Sequence, residues 1–295
     1  MLKETKGISM APISVVIPAY NESESIEKAV RSIKDFMTAE NIEHEVIVVD
    51  DCSTDDTAKR AKGSGAAVIS HPANRGYGAS ITTGLRKSKY EWVLIMDGDG
   101  TYPAAEVKKL TPYTADFDMV VGARRGKHYH GSLTKRFSRA VLYVLLAYVT
   151  GESVPDANSG LRLFKKSVVM KFEDDFCGGF SFTTTITLLL LSNRHLIKFV
   201  PVEYAPRVGR SKVRYLRDTA RTFQILAQNI SYYNHTKAFL PFWVLSFLLF
   251  MLFTALYLFR ARALFYGLSA VVSFFFSMLF LGLGLVAYVI MKSRR

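Results

Sequence analysis

The sequence predicts an α/β domain built on a mostly parallel sheet, followed by a hairpin of two membrane-spanning helices. Three observations carry this. Short β-rich runs alternate with stretches of helical spacing through most of the chain. Three of those runs stop at polar clusters: Pro18 to Glu22, Asp50-Asp51 and Asp97-Gly98-Asp99. The C-terminal part holds two long stretches without a charged residue.

Ile13 to Ile17 is a β-rich run closed by Pro18, and Ile26, Ala29, Val30, Ile33 and Met37 then recur at helical spacing between residues 22 and 37. Val46 to Val49 repeats the pattern, with Ser53 or Thr54 as the expected cap of the next helix. A third strand, Ala67 to Ile69, leads through Asn74-Arg75-Gly76 into a helix over about 77 to 87. Trp92 to Met96 is a fourth. Strands alternating with helices of this length imply right-handed βαβ units, and such sheets bind ligands beyond the carboxyl ends of their strands. The three polar clusters should therefore line one crevice.

After Val120-Val121-Gly122 the character changes. Arg124, Arg125, Lys127, Lys135, Arg136 and Arg139 occur with no acid among them, and Val141 to Val149 is almost wholly apolar. This suits a helix on an anionic membrane surface, and equally a core helix with a solvated basic face. Leu161 to Phe164 and Leu196 to Val200 read as further strands, with a Thr- and Leu-rich helix over about 182 to 191 between them.

Residues 238–259 and 263–291 each exceed the roughly 20 residues that cross a bilayer. Only Arg260, Ala261 and Arg262 separate them, so they form a tight antiparallel hairpin. Basic residues at the outer flanks (Arg217, Arg221, Lys237, Lys292, Arg294, Arg295) outnumber those in the turn, which by the positive-inside rule puts the N-terminal part in the cytoplasm. The expected division is a catalytic domain over 1–237, with a juxtamembrane amphipathic helix at about 213–235, and a hairpin over 238–295. Lys3, Glu4 and Lys6 open the chain without an apolar leader. Cys52 and Cys177 have no metal-type spacing and read as unpaired thiols.

A formal net charge of +13 calls for an anionic partner. Zinc-finger spacing and aromatic RNA-binding signatures are missing, so lipid headgroups and phosphorylated substrates are favoured over nucleic acid. Gly76-Tyr77-Gly78 hints at a dinucleotide fingerprint, but Ile81 stands where the third glycine belongs, and no P-loop exists. His128 and His130 lack a third metal ligand nearby.

Asp97 and Asp99 carry the most chemistry. A buried unpaired carboxylate costs several kcal/mol, so two of them at a strand end belong in a crevice, as a divalent-metal site or as an acidic turn. Mg²⁺ prefers a few carboxylates together with phosphate oxygens, which points to a di- or triphosphate partner. Transfer of a sugar from a nucleotide needs such a site, because negative charge collects on the leaving diphosphate. Arg124, Arg207 and Lys212 are candidates for the cationic half, and any of them could instead face lipid.

Val15 to Glu22, Val48 to Asp55, Asn74-Arg75-Gly76-Tyr77-Gly78, Asp97-Gly98-Asp99 and Asn158 to Phe164 together resemble the ordered motifs of family 2 glycosyltransferases. The closer resemblance is to the branch that transfers a hexose to a polyprenyl phosphate, the dolichyl-phosphate mannose synthases and undecaprenyl-phosphate glycosyltransferases. It covers about residues 12 to 215, and the hairpin suits that branch. The resemblance implies a GT-A fold and a nucleotide-sugar donor of the GDP-mannose or UDP-glucose type. It implies that Pro18, Ala19, Tyr20, Glu22, Val49, Asp50 and Asp51 hold the base and ribose. Asp97, Gly98 and Asp99 would hold Mg²⁺ or Mn²⁺ and the diphosphate, and Arg207 with Lys212 would grip donor phosphates. In that last segment the spacing is one residue shorter than the family's. Arg124, Arg136, Ser138 and Arg139 fall where the family receives the lipid phosphate, and the transfer would invert the anomeric carbon.

Gly178 to Phe182 lacks the carboxylate that many relatives acting on sugar hydroxyls carry there. A phosphate monoester is already an anion near pH 7 and needs no general base, so the gap favours a phosphate acceptor. Asp156 is a candidate for contacting sugar or acceptor, or with Pro155 it makes a turn. A processive polysaccharide synthase should add an Arg-Trp pair, which the chain lacks. The remaining alternatives are a non-catalytic membrane scaffold and a transferase for another lipid or glycan acceptor. Neither the sugar, the base, the carrier lipid nor the oligomeric state is encoded in these motifs.

Overall fold

The computed structural model describes residues 11–126, 133–176, 178–179, 181–206, 224, 227, 230, 235–259 and 264–293, with backbone alone at 133–138, 235–236, 288 and 291–293. The chain forms two compact units, 1–222 and 223–295.

In the first unit seven strands form one sheet in the order β3-β2-β1-β4-β6-β5-β7. They are β1 (Ile13–Ala19), β2 (His44–Asp50), β3 (Ala67–Ser70), β4 (Trp92–Ile95), β5 (Met119–Arg125), β6 (Arg162–Lys165) and β7 (Ile197–Glu203). All pairings are parallel except those of β6, which runs antiparallel to both β4 and β5. β1 is buried along its whole length because both faces are covered, the condition under which a strand reads as a continuous apolar run. Val15 and Ile17 share a core with Ile26, Val30, Ile33 and Met37 of α1 (Ile26–Ala39). Val16 points the other way, against α3 (Tyr77–Lys87), where Gly84 leaves no room for a Cβ beside it. Each such fully buried aliphatic side chain contributes about 1.5–3 kcal/mol.

The expected βα alternation is present, with shifted boundaries. α1 starts at Ile26, four residues later than the periodicity suggests, and α2 (Thr57–Gly63) is preceded by Asp56. Neither Ser53 nor Thr54 caps α2. Ser53 Oγ accepts from the Asn21 amide (2.9 Å), and the Thr54 amide donates to Asn21 Oδ1 (2.8 Å). The residues that looked like a cap instead stitch the loop after β2 to the loop after β1, and Asn21 adopts φ 51° to make that junction.

α4 (Leu133–Thr150) buries Leu146 and Val149 but leaves Val144 69% exposed, so it has one packed edge. A short α5 (Lys166–Val169) follows β6. In α6 (Phe182–Ser192) every residue from Phe182 to Leu190 is buried. Two of its threonines back-bond along the helix, Thr185 Oγ1 to Ser181 O and Thr187 Oγ1 to Thr183 O, and Thr184 Oγ1 reaches Asn158 Oδ1 (2.6 Å).

The second unit contains α7 (His235–Phe259) and α8 (Leu264–Ser293). Both are long and apolar enough to cross a membrane. They pack through Phe242 on Phe280, Phe250 on Phe274 and Gly267 against the Tyr257 ring, while large apolar side chains such as Leu248 and Phe275 face outward. Outward-facing apolar surface on this scale suits lipid rather than water.

Candidate active site

The carboxyl ends of β1, β2 and β4 are adjacent in the sheet, so the three polar clusters come together. Ala19 and Asp50 are register partners, and the Asp51 amide donates to Ala19 O (2.8 Å). Gly98 sits against this junction, and a Cβ there would lie 3.0 Å from Ile26 Cδ1 and 3.2 Å from Ile17 Cγ2. A side chain between the two acids would have to push these two isoleucines aside by a few tenths of an ångström, which glycine avoids.

Asp99 is 2% exposed, and its Oδ1 accepts from the amide (3.0 Å) and hydroxyl (2.6 Å) of Thr101. Asp97 is half-buried and its Oδ1 accepts from Tyr77 Oη (3.0 Å). Gly160 touches the same carboxylate so closely that a Cβ would overlap it. Burial, then the Asp97 charge, push the Tyr77 phenol well above its ordinary range, so it stays a donor. The two acids supply hard oxygen ligands. Among the described residues no group of three His, Cys, Asp or Glu could enclose a metal ion. Two such carboxylates fit a hard divalent ion, which would draw further ligands from phosphate oxygens and water.

The strip from Asp156 to Arg162 forms one wall. Arg162 is fully buried and, among the described residues, pairs with no carboxylate; it donates to Ser159 O (2.8 Å), Ala157 O (2.6 Å) and Thr187 Oγ1 (2.7 Å). Burial pushes it down to about 10. The Gly160 amide donates to Tyr102 Oη (2.9 Å), which also meets Ser159 Oγ (3.2 Å).

Asp156 and Arg124 prove to be one unit. Arg124 reaches the buried carboxylate with Nε (2.8 Å) and Nη2 (2.9 Å), and its amide donates to Oδ2 (3.1 Å). Its guanidinium lies 5.4 Å over the Tyr204 ring, which packs edge-on to Tyr102. Burial works to raise the Asp156 pKa, but the Arg124 charge and its hydrogen bonds outweigh it and hold the carboxyl below the usual range. The Asn158 amide also donates to Asp156 Oδ1 (3.2 Å).

Asp51 is also heavily engaged. Its Oδ1 accepts from His71 Nδ1 (2.7 Å) and the Arg75 amide (2.8 Å), and its Oδ2 from the Gly76 amide (2.7 Å). Glu22 is half-buried, with its amide on Thr57 Oγ1 (2.8 Å). Pro18, Ala19 and Val49 are buried strand-end residues, Tyr20 is half-buried beside them, and Asp50 accepts from the Ser53 amide (3.3 Å). Arg139 lies half-exposed on α4. Arg207, Lys212, the 213–235 helix save for scattered helical positions, Cys177 and the side chains of Arg136 and Ser138 lie outside the described residues.

Against known families, the glycosyl transferase family 2 model matches residues 14–172, more than half of the chain. The chain belongs to glycosyl transferase family 2. It is an enzyme of that family with a GT-A fold. Among its family 2 relatives, the low-salt glycan biosynthesis hexosyltransferase Agl6 of Haloferax volcanii is 29% identical over 223 residues, 74% of this chain and 53% of that protein. The undecaprenyl-phosphate 4-deoxy-4-formamido-L-arabinose transferase of Proteus mirabilis is 30% identical over 164 residues, 53% of this chain and 50% of that protein. This chain therefore spans about half the length of each. The fold also matches glucosyl-3-phosphoglycerate synthase of Mycobacterium tuberculosis, crystallised with Mn²⁺, UDP and glucosyl-3-phosphoglycerate, with TM-score 0.60 and 24% identity over 74% of this chain and 80% of that one.

Three residues that shape this family 2 site carry no role in a reading of the sequence alone: Tyr77, Tyr102 and Arg162. Tyr77 and Arg162 lie inside quoted motifs, but Tyr77 acts on Asp97, 20 residues on, and Arg162 ties the nearby Ala157 and Ser159 carbonyls to Thr187, 25 residues on. Tyr102 follows the acid pair closely, yet its partners Ser159 and Gly160 are 57 and 58 residues distant.

Proposed function

We propose that this chain is a membrane-anchored, inverting transferase that moves a hexose from a nucleotide sugar to a polyprenyl phosphate at the cytoplasmic face. The observation that carries it is the pair Asp97 and Asp99, fixed at the end of β4, where among the described residues no group of three His, Cys, Asp or Glu could hold a metal. Such a pair is completed by a diphosphate. Glucosyl-3-phosphoglycerate synthase, which shares the fold, has been crystallised with Mn²⁺ or Mg²⁺ and UDP. The named undecaprenyl-phosphate relatives and the two apolar helices support a lipid acceptor.

Asp97 and Asp99 would hold Mg²⁺ or Mn²⁺, which when bound neutralises charge on the donor diphosphate. The strand-end residues from Pro18 to Glu22 and from Val49 to Asp51 take the base and ribose. An oxygen of the acceptor phosphate attacks the anomeric carbon from the face opposite the diphosphate. The carbon–oxygen bond to the diphosphate breaks, its electron pair leaves with the nucleoside diphosphate, and the lipid phosphomonoester becomes a diester. No proton has to be removed from the attacking oxygen, in keeping with Gly178, Gly179, Phe180, Ser181 and Phe182 carrying no carboxylate. Arg124, oriented by Asp156, supplies fixed positive charge beside the crevice, and Arg136, Ser138, Arg139, Arg207 and Lys212 are the further candidates for phosphate contacts. The helix pair would anchor the enzyme in the membrane that carries its lipid substrate, which raises the local concentration of that substrate.

The test incubates membranes carrying the full chain with labelled UDP- and GDP-hexoses and polyprenyl phosphate. Label should enter the lipid fraction from one donor and be lost in Asp99→Asn. Absence of labelled lipid from every donor would favour a non-catalytic scaffold or a different acceptor.

A further inference from the structure

His71 lies outside every role assigned above, yet it is 7% exposed and bonded at both ring nitrogens. Nδ1 is 2.7 Å from Asp51 Oδ1 and Nε2 is 2.9 Å from Thr83 Oγ1. An ionised carboxylate only accepts, so Nδ1 carries the proton toward Asp51. In the neutral ring Nε2 then accepts from the Thr83 hydroxyl.

Asp51 in turn gathers a turn of the chain. The amides of Arg75 and Gly76 both donate to it, and Gly76 adopts φ 94°, where a Cβ would lie 2.5 Å from Gly178 O. The next residue, Tyr77, opens α3 and donates to Asp97. A continuous set of contacts thus runs from His71 through Asp51 and the 75–76 amides to Tyr77 and the Asp97 carboxylate. It joins the acid at the end of β2 to the acid pair at the end of β4 through the first turn of α3. The amides of Gly78 and Ala79, at that same helix start, are both taken by Gly178 O (2.9 and 3.2 Å). The turn therefore owes its anchoring to Asp51 on one side and to Gly178 on the other.

From this geometry we propose that His71 is a positioning residue for Asp97, acting through Asp51 and the 75–77 turn. It rests on the reading of Asp97 and Asp99 as the metal and diphosphate site. Loss of the Nδ1–H donor leaves Asp51 short of one of its three donors, loosens the turn and lets Tyr77 drift from Asp97. The effect falls on the metal-dependent binding of a nucleoside diphosphate.

The experiment measures binding of Mn²⁺ with UDP and with GDP to the full detergent-solubilised chain, together with thermal midpoints. His71→Ala should weaken that binding about tenfold, the scale of one lost charge-assisted hydrogen bond. An Asn amide can stand in for Nδ1–H but not for Nε2, and Gln the reverse. His71→Asn should therefore recover to within about threefold of the wild type while His71→Gln does not. Tyr77→Phe should weaken binding similarly, and the His71→Ala/Tyr77→Phe double variant should be no more than about twofold worse than the weaker single variant, because both act on one chain of contacts. Wild-type affinity in His71→Ala, equal rescue by Gln, or additive losses in the double variant would each overturn the proposal. Should the wild type bind neither UDP nor GDP with Mn²⁺, the donor-site reading itself fails. A fall in thermal midpoint shared by the Ala and Asn variants, with binding lost in both, would show that His71 only supports the fold.

Discussion

Gly160 and Asp97 meet so closely that the Asp97 carboxylate occupies the space a side chain at 160 would need. Gly160→Ala must therefore push Asp97 or the 156–162 strip aside. Misplacement of a reacting group by about 1 Å costs on the order of 100-fold in rate, and kcat/KM should fall by about that much. The thermal midpoint should move by only a few degrees, since the strip retains its anchors on Tyr102 and Arg162. Kinetics and a thermal melt of the same preparation separate the two effects.

The Arg124 and Asp156 pair should be asymmetric. Arg124→Ala leaves a buried carboxylate without its counter-charge, and such losses cost about 3–5 kcal/mol, whereas Asp156→Asn keeps an acceptor and frees the arginine. The folded Asp156 pKa lies below its ordinary value, so this group adds stability above the unfolded carboxylate pKa of about 4 and loses it as pH falls through the folded value. The wild-type midpoint should drop as pH is lowered below about 4, and Asp156→Asn should flatten that part of the profile. An unchanged profile in Asp156→Asn would assign the acid sensitivity elsewhere.

Arg162 tests whether the wall of the crevice depends on one buried cation. Its guanidinium binds the carbonyls of Ala157 and Ser159 and the Thr187 hydroxyl at once, a fork that a lysine cannot reproduce. Arg162→Lys keeps the charge and should still lower stability by about 1–3 kcal/mol through carbonyls left unpaired. Denaturant unfolding of the two proteins gives the difference directly.

How much of this was legible in the sequence divides along chain distance. The strand-then-helix alternation and the acid pair at the end of β4 are local patterns, and α3 spans Tyr77–Lys87, directly after the Asn74-Arg75-Gly76 turn. The two apolar helices are compositional. The capping of α2 by Ser53 or Thr54 did not hold, because both residues found Asn21, more than 30 residues away in the chain, instead of the nearby helix amides. Arg124 and Asp156 were separate candidates in the sequence because nothing local says that β6 inserts antiparallel between β4 and β5 and brings their loops together. Gly160 and Arg162 sit in a recognisable motif whose purpose, shaping a wall against Asp97, exists only in the folded chain.

Metal dependence separates the two aspartates. Asp99 is buried and fixed by both donors of Thr101, while Asp97 is half-buried and held by Tyr77. Chelation of divalent ions should abolish transfer and weaken nucleoside diphosphate binding about tenfold or more, with recovery on adding Mn²⁺ or Mg²⁺. Asp99→Asn removes charge at the rigid position and should make binding insensitive to added metal. Thr101→Val takes away the hydroxyl donor but leaves the carboxylate and the amide bond, so it should retain metal dependence with affinity reduced by about three- to tenfold. Titrating Mn²⁺ into the wild type and both variants, with binding as the readout, distinguishes a metal ligand from an acidic turn. Full binding by the wild type in excess chelator would return Asp97-Gly98-Asp99 to the second description.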